Sequence, residues 1–133
     1  MDRELIKQIE FVDGLFNKAC QILKAKNVSW RPMSNRTAPV NTAKDFSLGY
    51  TDLEKGVITL DILTPRRRQP KSANGILRVI AHEIAHIQKP PYRQRHRGRW
   101  ITRMHFPKFY DQVNKNVDKF KKDSDFAQYF RQV

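Results

Sequence analysis

The chain has 133 residues, with 26 Lys and Arg against 13 Asp and Glu, for a formal net charge of +13. That length fits one domain with its own core, and 39% hydrophobic residues are typical of a globular chain. No apolar run approaches the roughly 20 residues of a membrane-spanning helix, and the charged N-terminus lacks a signal peptide's apolar core. A single cysteine, Cys20, excludes an internal disulfide and a cysteine-rich zinc ribbon.

These features predict an intracellular protein, in the cytoplasm or at the nucleoid or nucleus, that is not secreted. We expect it to be a monomer without a membrane partner.

The charge is concentrated in residues 62–108, which hold twelve basic residues and one acid, Glu83. The flanking segments, residues 1–61 and 109–133, each carry a net charge of only +1. A charge run is most often a solvated surface, but this one also contains all four histidines of the chain.

The hydrophobic pattern of the first half predicts a helix followed by strands. Apolar residues at helical spacing between Leu5 and Leu23 predict an N-terminal helix of about 20 residues, with Cys20 beside its buried stripe. Residues 28–30, 46–50 and 57–63 have strand character, and residues 51–56 resemble a hairpin loop.

The second half predicts helices. Ser72 or Asn74 could cap a helix that ends at the double proline 90–91. Its buried stripe comprises Leu77, Ile80, Ile84 and Ile87. Residues 95–104 are predicted to be helical, Pro107 suits the first turn of a further helix, and residues 123–133 could form a short last helix. The fold class is therefore α+β, with about three strands packed against these helices.

The sequence His82-Glu83-Ile84-Ala85-His86 is an HExxH motif within the predicted helix. Residues four apart on a helix share a face, with β-carbons about 6 Å apart, so both imidazoles can bind one Zn²⁺. Glu83 would face the open coordination position as general base and acid toward a zinc-activated water. The alternative is that the two histidines bind no metal and only lie on a solvated helix face. Against it, the apolar stripe leaves His82 and His86 together on a face of their own.

A catalytic zinc site normally has three protein ligands. His96 lies ten residues beyond His86, which is enough chain to return to the metal, and His105 is the competitor. Metzincin spacing is excluded because Lys89 and Tyr92 stand where it needs a glycine and a histidine. Gluzincin spacing is excluded because no Glu follows Glu83.

The HExxH motif followed by His96-Arg-Gly-Arg-Trp100 resembles the HExxH…HxxxF/W arrangement of SprT-like (Spartan- and WLM-related) metallopeptidase domains. The resemblance covers about residues 1–106 and leaves residues 107–133 as a helical extension of one domain, residues 1–133. It implies a zincin-like fold, one Zn²⁺ held by His82, His86 and His96, and a core-packed Trp100. Unlike many SprT-like proteins, this chain lacks a four-cysteine zinc ribbon, and the double proline leaves the path to His96 open.

Basic residues flank the motif on both sides, and arginine is well suited to phosphate contact. The predicted nucleic-acid contacts are Arg66, Arg67, Arg68, Lys71, Lys89, Arg93, Arg95, Arg97 and Arg99. The resemblance further implies an endopeptidase activity on proteins bound or crosslinked to DNA. It also implies single-stranded or junction-containing DNA as a partner. Two alternatives stay open. One is a nucleic-acid-binding module with a structural zinc and His105 as fourth ligand, and the other is a zinc peptidase for soluble, perhaps acidic, peptides.

Overall fold

The computed structural model describes residues 3–33 and 48–131. The fold is α+β, as predicted: two of the three helices pack against a three-stranded sheet, the third helix packs on those two, and a separate two-stranded hairpin follows the second helix. The elements in chain order are α1 (Arg3–Leu23), β1 (Ser29–Pro32), β2 (Gly49–Asp52), β3 (Val57–Leu60), α2 (Ala73–Gln88), β4 (Tyr92–His96), β5 (Arg99–Arg103), α3 (Pro107–Lys122) and the 3-10 helix η1 (Ala127–Phe130). Among the helices so described, none is long and apolar enough to cross a membrane.

Helix α1 forms where the apolar stripe predicts it. Val12, Phe16 and Ala19 are almost fully buried, and Cys20 packs against the core from the side. Gln8 is buried as well, and its Nε2 donates to the carbonyl oxygens of Ile62 and Lys71, at 3.0 Å each. Because a buried amide needs partners, this side chain ties α1 to the segment that leads into α2.

The main sheet has the strand order β1-β3-β2, with β1 parallel and β2 antiparallel to β3. The predicted strands are present with different ends: β1 continues to Pro32, β2 runs on to Asp52 in the predicted loop, and β3 stops at Leu60. Phe46 and Ser47 of the predicted second strand lie outside the described residues. Gly56 closes the turn between β2 and β3 at a φ of +68°, and a Cβ there would lie 2.6 Å from the carbonyl oxygen of Asn27. Because β3 is the central strand, β2 is an edge strand in the described sheet.

Helix α2 is capped and ended by the residues that the sequence indicates. The Ser72 hydroxyl accepts a hydrogen bond from the backbone N–H of Gly75 at 3.2 Å, and the helix ends just before the double proline. Leu77, Ile80 and Ile84 are fully buried. The opposite side of the helix is thereby left to carry the histidines of the HExxH motif.

Residues 95–104 do not form the helix that the sequence predicts. They belong to a β-hairpin in which Tyr92–His96 pairs with Arg99–Arg103 in antiparallel register. Arg97 and Gly98 form the two-residue turn with φ values of 51° and 78°, and paired positive φ values are typical of hairpin turns. The β-branched pair Ile101-Thr102 favours a strand over a helix as well.

Helix α3 begins with Pro107 in its first turn, as predicted, and packs along α2. Phe109 and Phe120 are fully buried. The buried Asn116 donates from Nδ2 to the Ala81 carbonyl oxygen at 3.0 Å and to Gln88 Oε1 at 2.7 Å. These bonds fix α3 relative to the helix that carries the HExxH motif.

Candidate metal centre and groove

His82 and His86 lie one helical turn apart on α2, with ring centroids 5.0 Å apart. His82 is half-buried and His86 is buried. Their shared face follows from the four-residue spacing and from the apolar stripe, which occupies the other side of the helix.

The third histidine at this position is His105, two residues before α3. Its ring centroid lies 5.3 Å from that of His82 and 4.9 Å from that of His86. One ligand nitrogen from each of the three histidines lies within 4.8 Å of the other two. Among the residues that the structure describes, no fourth His, Cys, Asp or Glu joins this group.

Phe109, in the first turn of α3, packs against the rings of all three histidines. It is fully buried, stacks on the ring of His86 at 4.4 Å, and contacts His82 and His105 edge-on at 5.0 and 5.2 Å. An aromatic side chain packed against three imidazoles fixes their positions before any ligand arrives.

Contrary to the prediction, the structure does not bring His96 to this group as the third histidine; His105 takes that place. His96 is exposed at the end of β4, where it pairs with Arg99 next to the turn, and it does not belong to the histidine group. Trp100, predicted to pack in the core, is 58% exposed. The physical reason is the hairpin, which turns residues 92–103 away from the motif helix.

A sequence signal for His105 did exist. His105 and Phe109 have the same HxxxF/W spacing as His96 and Trp100, and Pro107 between them marks the start of a helix. The sequence thus places His105 at a helix end, two residues before Pro107, with the apolar Phe109 one turn later.

The chemistry of this group fits a bound metal ion. His86 Nδ1 is buried without a hydrogen-bond partner, which is costly unless another atom occupies the site. Burial, with help from the neighbouring His82 and His105, lowers the pKa of His86 to about 4, and burial lowers the pKa of His82 in the same direction. Imidazoles held neutral are in the form that binds metal, and three nitrogens suit Zn²⁺.

Glu83 is buried beside the histidines, at the side of β2. The hydroxyl of Thr51 donates to Glu83 Oε1 at 2.8 Å and also lies 3.2 Å from the Glu83 carbonyl oxygen. Burial raises the pKa of the Glu83 carboxyl, and the hydrogen bond from Thr51 opposes that rise. A carboxylate with a raised pKa and a fixed orientation is suited to accepting and returning a proton.

A groove of about 610 Å³ opens over the histidines and Glu83. Tyr110 lines it and stacks on His105 with ring centroids 6.1 Å apart. Tyr92 instead packs edge-on against Phe106 at the base of the hairpin. Of these two tyrosines, Tyr110 is thus the one placed to donate a hydrogen bond to a ligand in the groove.

Two of the predicted nucleic-acid contacts make internal contacts instead. Arg68 forms a bidentate ion pair with Asp61 at 2.9 and 3.0 Å, with the two side chains only 8% and 3% exposed. Lys71 is partly buried and donates to the Asp61 carbonyl oxygen at 2.9 Å. The remaining predicted contacts are exposed: Arg66, Arg67, Lys89, Arg93, Arg95, Arg97 and Arg99.

Comparison with known proteins adds no relative from which a role could be carried over. No family model, curated protein or solved structure matches this chain.

Proposed function

We propose that this chain is a zinc-dependent endopeptidase of the SprT-like type. The observation that carries the proposal is the convergence of His82, His86 and His105 beside a buried Glu83 in an open groove. Catalytic zinc sites have three protein ligands and an open position, whereas structural sites have four. A group of three in the described part of the chain favours the enzyme over the module with a structural zinc.

The three histidines would hold the ion, and zinc would supply a Lewis acid that lowers the pKa of water and polarises a carbonyl. Glu83 accepts a proton from the attacking water and passes it to the departing amine nitrogen. The carbon–nitrogen bond breaks, and the water oxygen becomes part of the new carboxylate. Thr51 holds the Glu83 carboxylate in place during both transfers.

The edge strand β2 offers a place for the backbone of the substrate. In an antiparallel ladder, residues that bond to the neighbouring strand through their backbone alternate with residues whose backbone groups point away from it. The Asp61 N–H donates to the Leu48 carbonyl oxygen, so Leu48 is a bonded position. The N–H and C=O of Thr51, three residues later, therefore point away from β3. Thr51 also lines the groove. An extended peptide can therefore pair with β2 and bring a carbonyl toward the histidines.

The test is cleavage of an unfolded protein by the zinc-loaded chain, comparing wild type with Glu83→Gln. We expect the variant to keep its zinc and lose cleavage by at least about 100-fold, the scale of general acid–base catalysis. Cleavage by Glu83→Gln at the wild-type rate would overturn the proposal. A protein that binds zinc and nucleic acid without any cleavage would support the binding module instead.

We further propose that nucleic acid recruits the enzyme through the arm, defined as residues 92–103. Within the described chain the two strands of the arm contact each other and no other helix or strand. The arm carries five arginines and no acid: Arg93, Arg95, Arg97, Arg99 and Arg103. Isolated two-stranded hairpins are only marginally stable in water, so an arm of this kind gains order when it binds a partner.

The arm combines charge with an exposed aromatic ring. Trp100 lies opposite Arg95 in the ladder, and the guanidinium groups of Arg93 and Arg95 lie 5.4 and 5.9 Å from its ring. Stacked aromatic rings beside arginines bind unpaired bases and their phosphates. Pro91 and Met104, at the two ends of the arm, line the groove. Nucleic acid bound to the arm would thus hold attached proteins next to the proposed active site.

The nucleic-acid proposal is tested by the salt dependence of binding to single-stranded DNA. A double variant, Arg95→Gln with Arg99→Gln, should bind more weakly and show a shallower slope of log affinity against log salt, by about 0.7 for each lost phosphate contact. The control, Lys24→Gln with Lys26→Gln, removes the same charge from exposed positions after α1. Equal effects of the two double variants would contradict a role specific to the arm.

A further inference from the structure

The groove over the histidines has apolar walls. Four exposed large apolar side chains line it, and each has between 39% and 49% of its surface exposed: Leu48, Leu53, Met104 and Tyr110. Val79 and Pro91 add to the same lining. Soluble proteins seldom gather exposed apolar side chains in one place, and where they do the patch marks a binding site.

Little of the positive charge of residues 62–108 lies in this groove. Among the described residues that line it, Arg78 is the single Lys or Arg, and Glu83 is the single acid. The other exposed arginines of residues 62–108 lie on the arm and in the loop at residues 66–67. Apart from Arg78, the counter-charges for an acidic peptide therefore lie outside the groove, while the groove itself favours apolar side chains.

We propose that the groove selects extended polypeptide by a large apolar side chain next to the scissile bond. This inference rests on the proposed peptidase function and names its substrate class. Large apolar side chains are mostly buried in folded proteins. The substrates are therefore unfolded or locally unfolded segments, and the groove excludes intact folded surfaces and acidic peptides.

In this proposal the arm and the groove have different properties and different roles. The arm carries five arginines and no acid, and its strands contact no other helix or strand of the described chain. The groove at its base is apolar. Recruitment through charge and selection through apolar contact are then separate properties, which separate substitutions should change.

The test uses three fluorogenic peptides that are identical except for Leu, Ala or Glu at one position beside the scissile bond. The zinc-loaded wild type should cleave the Leu peptide with a kcat/KM at least about tenfold above those of the Ala and Glu peptides. Leu53→Ser should reduce cleavage of the Leu peptide more than that of the Ala peptide. The matched control is Ile6→Ser, an exposed apolar position on α1 away from the groove lining, which should leave the preference unchanged.

Binding of the same peptides to zinc-loaded Glu83→Gln, measured by fluorescence polarisation, separates this inference from the peptidase proposal. Preferred binding of the Leu peptide without any wild-type cleavage would overturn the peptidase and support the apolar groove. Cleavage of the Glu peptide at the rate of the Leu peptide or faster would overturn the apolar groove and leave the peptidase standing. Absence of both cleavage and preferred binding would overturn both proposals.

Discussion

The ring of His105 lies 4.9 Å from the ring of His86, although nineteen positions of sequence separate them. The hairpin at residues 92–103 occupies most of that separation and contributes no residue to the histidine group. The intervening chain therefore leaves α2, forms the arm, and returns to place His105 at the start of α3. This path makes a local motif into a three-residue centre.

Thr51 is predicted to act on the reaction by positioning Glu83. Thr51→Val removes the 2.8 Å hydrogen bond to the carboxylate and keeps the side-chain shape. Because hydrogen bonds to charged groups contribute about 1.5–3 kcal/mol, we expect kcat to fall by about 10- to 100-fold with little change in KM or zinc affinity. Thr51→Ser should restore most of the rate. A fall caused only by weaker zinc binding would contradict the positioning role.

The metal-free protein should lose stability as the pH falls from 7 to 5. The pKa of His86 is about 4 in the folded chain, below the ordinary value of 6.5, because burial and the neighbouring His82 and His105 disfavour its charged form. In this pH range the unfolded chain takes up a proton that the folded chain does not, so acid favours unfolding. Urea unfolding at both pH values, with chelator present, measures the difference.

His86→Ala should show a smaller pH difference in the free energy of unfolding than wild type. His96→Ala changes an exposed histidine on the arm and should keep the wild-type difference. If His86→Ala keeps it as well, the acid sensitivity arises elsewhere.

The Asp61–Arg68 ion pair should contribute to stability rather than to nucleic-acid binding. Both side chains are buried, and removing one partner of a buried pair costs about 3–5 kcal/mol. Arg68→Ala should lower the free energy of unfolding on that scale, whereas Arg66→Ala, exposed in the same loop, should change it by less than about 0.5 kcal/mol. Chemical denaturation of both variants gives the comparison. Equal stabilities would show that the pair contributes nothing.

Asn116 should link the stability of the fold to the metal centre. Asn116→Ala removes the bonds to Ala81 and Gln88 that fix α3 on α2, and we expect a loss of about 1–3 kcal/mol in the free energy of unfolding. Zinc affinity should fall too, since α3 positions His105. Asn114→Ala, exposed on the same helix, is the control and should change neither quantity.

The parts of the fold that follow local periodicity could be predicted from the sequence. The stripes of α1 and α2, the cap at Ser72 and the start of α3 at Pro107 each depend on residues close together in the chain. The paired histidines of the HExxH motif are local in the same sense. The structure confirms these helices, the cap and the shared face of His82 and His86.

The third ligand could not be chosen by the same means. His96 and His105 are both followed by an aromatic residue four positions later, so the local pattern fits either one. The choice depends on the turn at Arg97 and Gly98, which forms a hairpin where the sequence predicts a helix. The burial of Arg68 depends likewise on Asp61, seven residues away, whose position follows from the packing of the loop after β3.

The most direct test of the proposed metal centre is a zinc titration of two histidine variants. His105→Ala should lower zinc affinity by at least about tenfold, because even partners outside the ligand set change affinity by about 10- to 100-fold. His96→Ala should bind one zinc with wild-type affinity, since His96 lies outside the histidine group. Loss of zinc in His96→Ala, with wild-type affinity in His105→Ala, would contradict this metal centre.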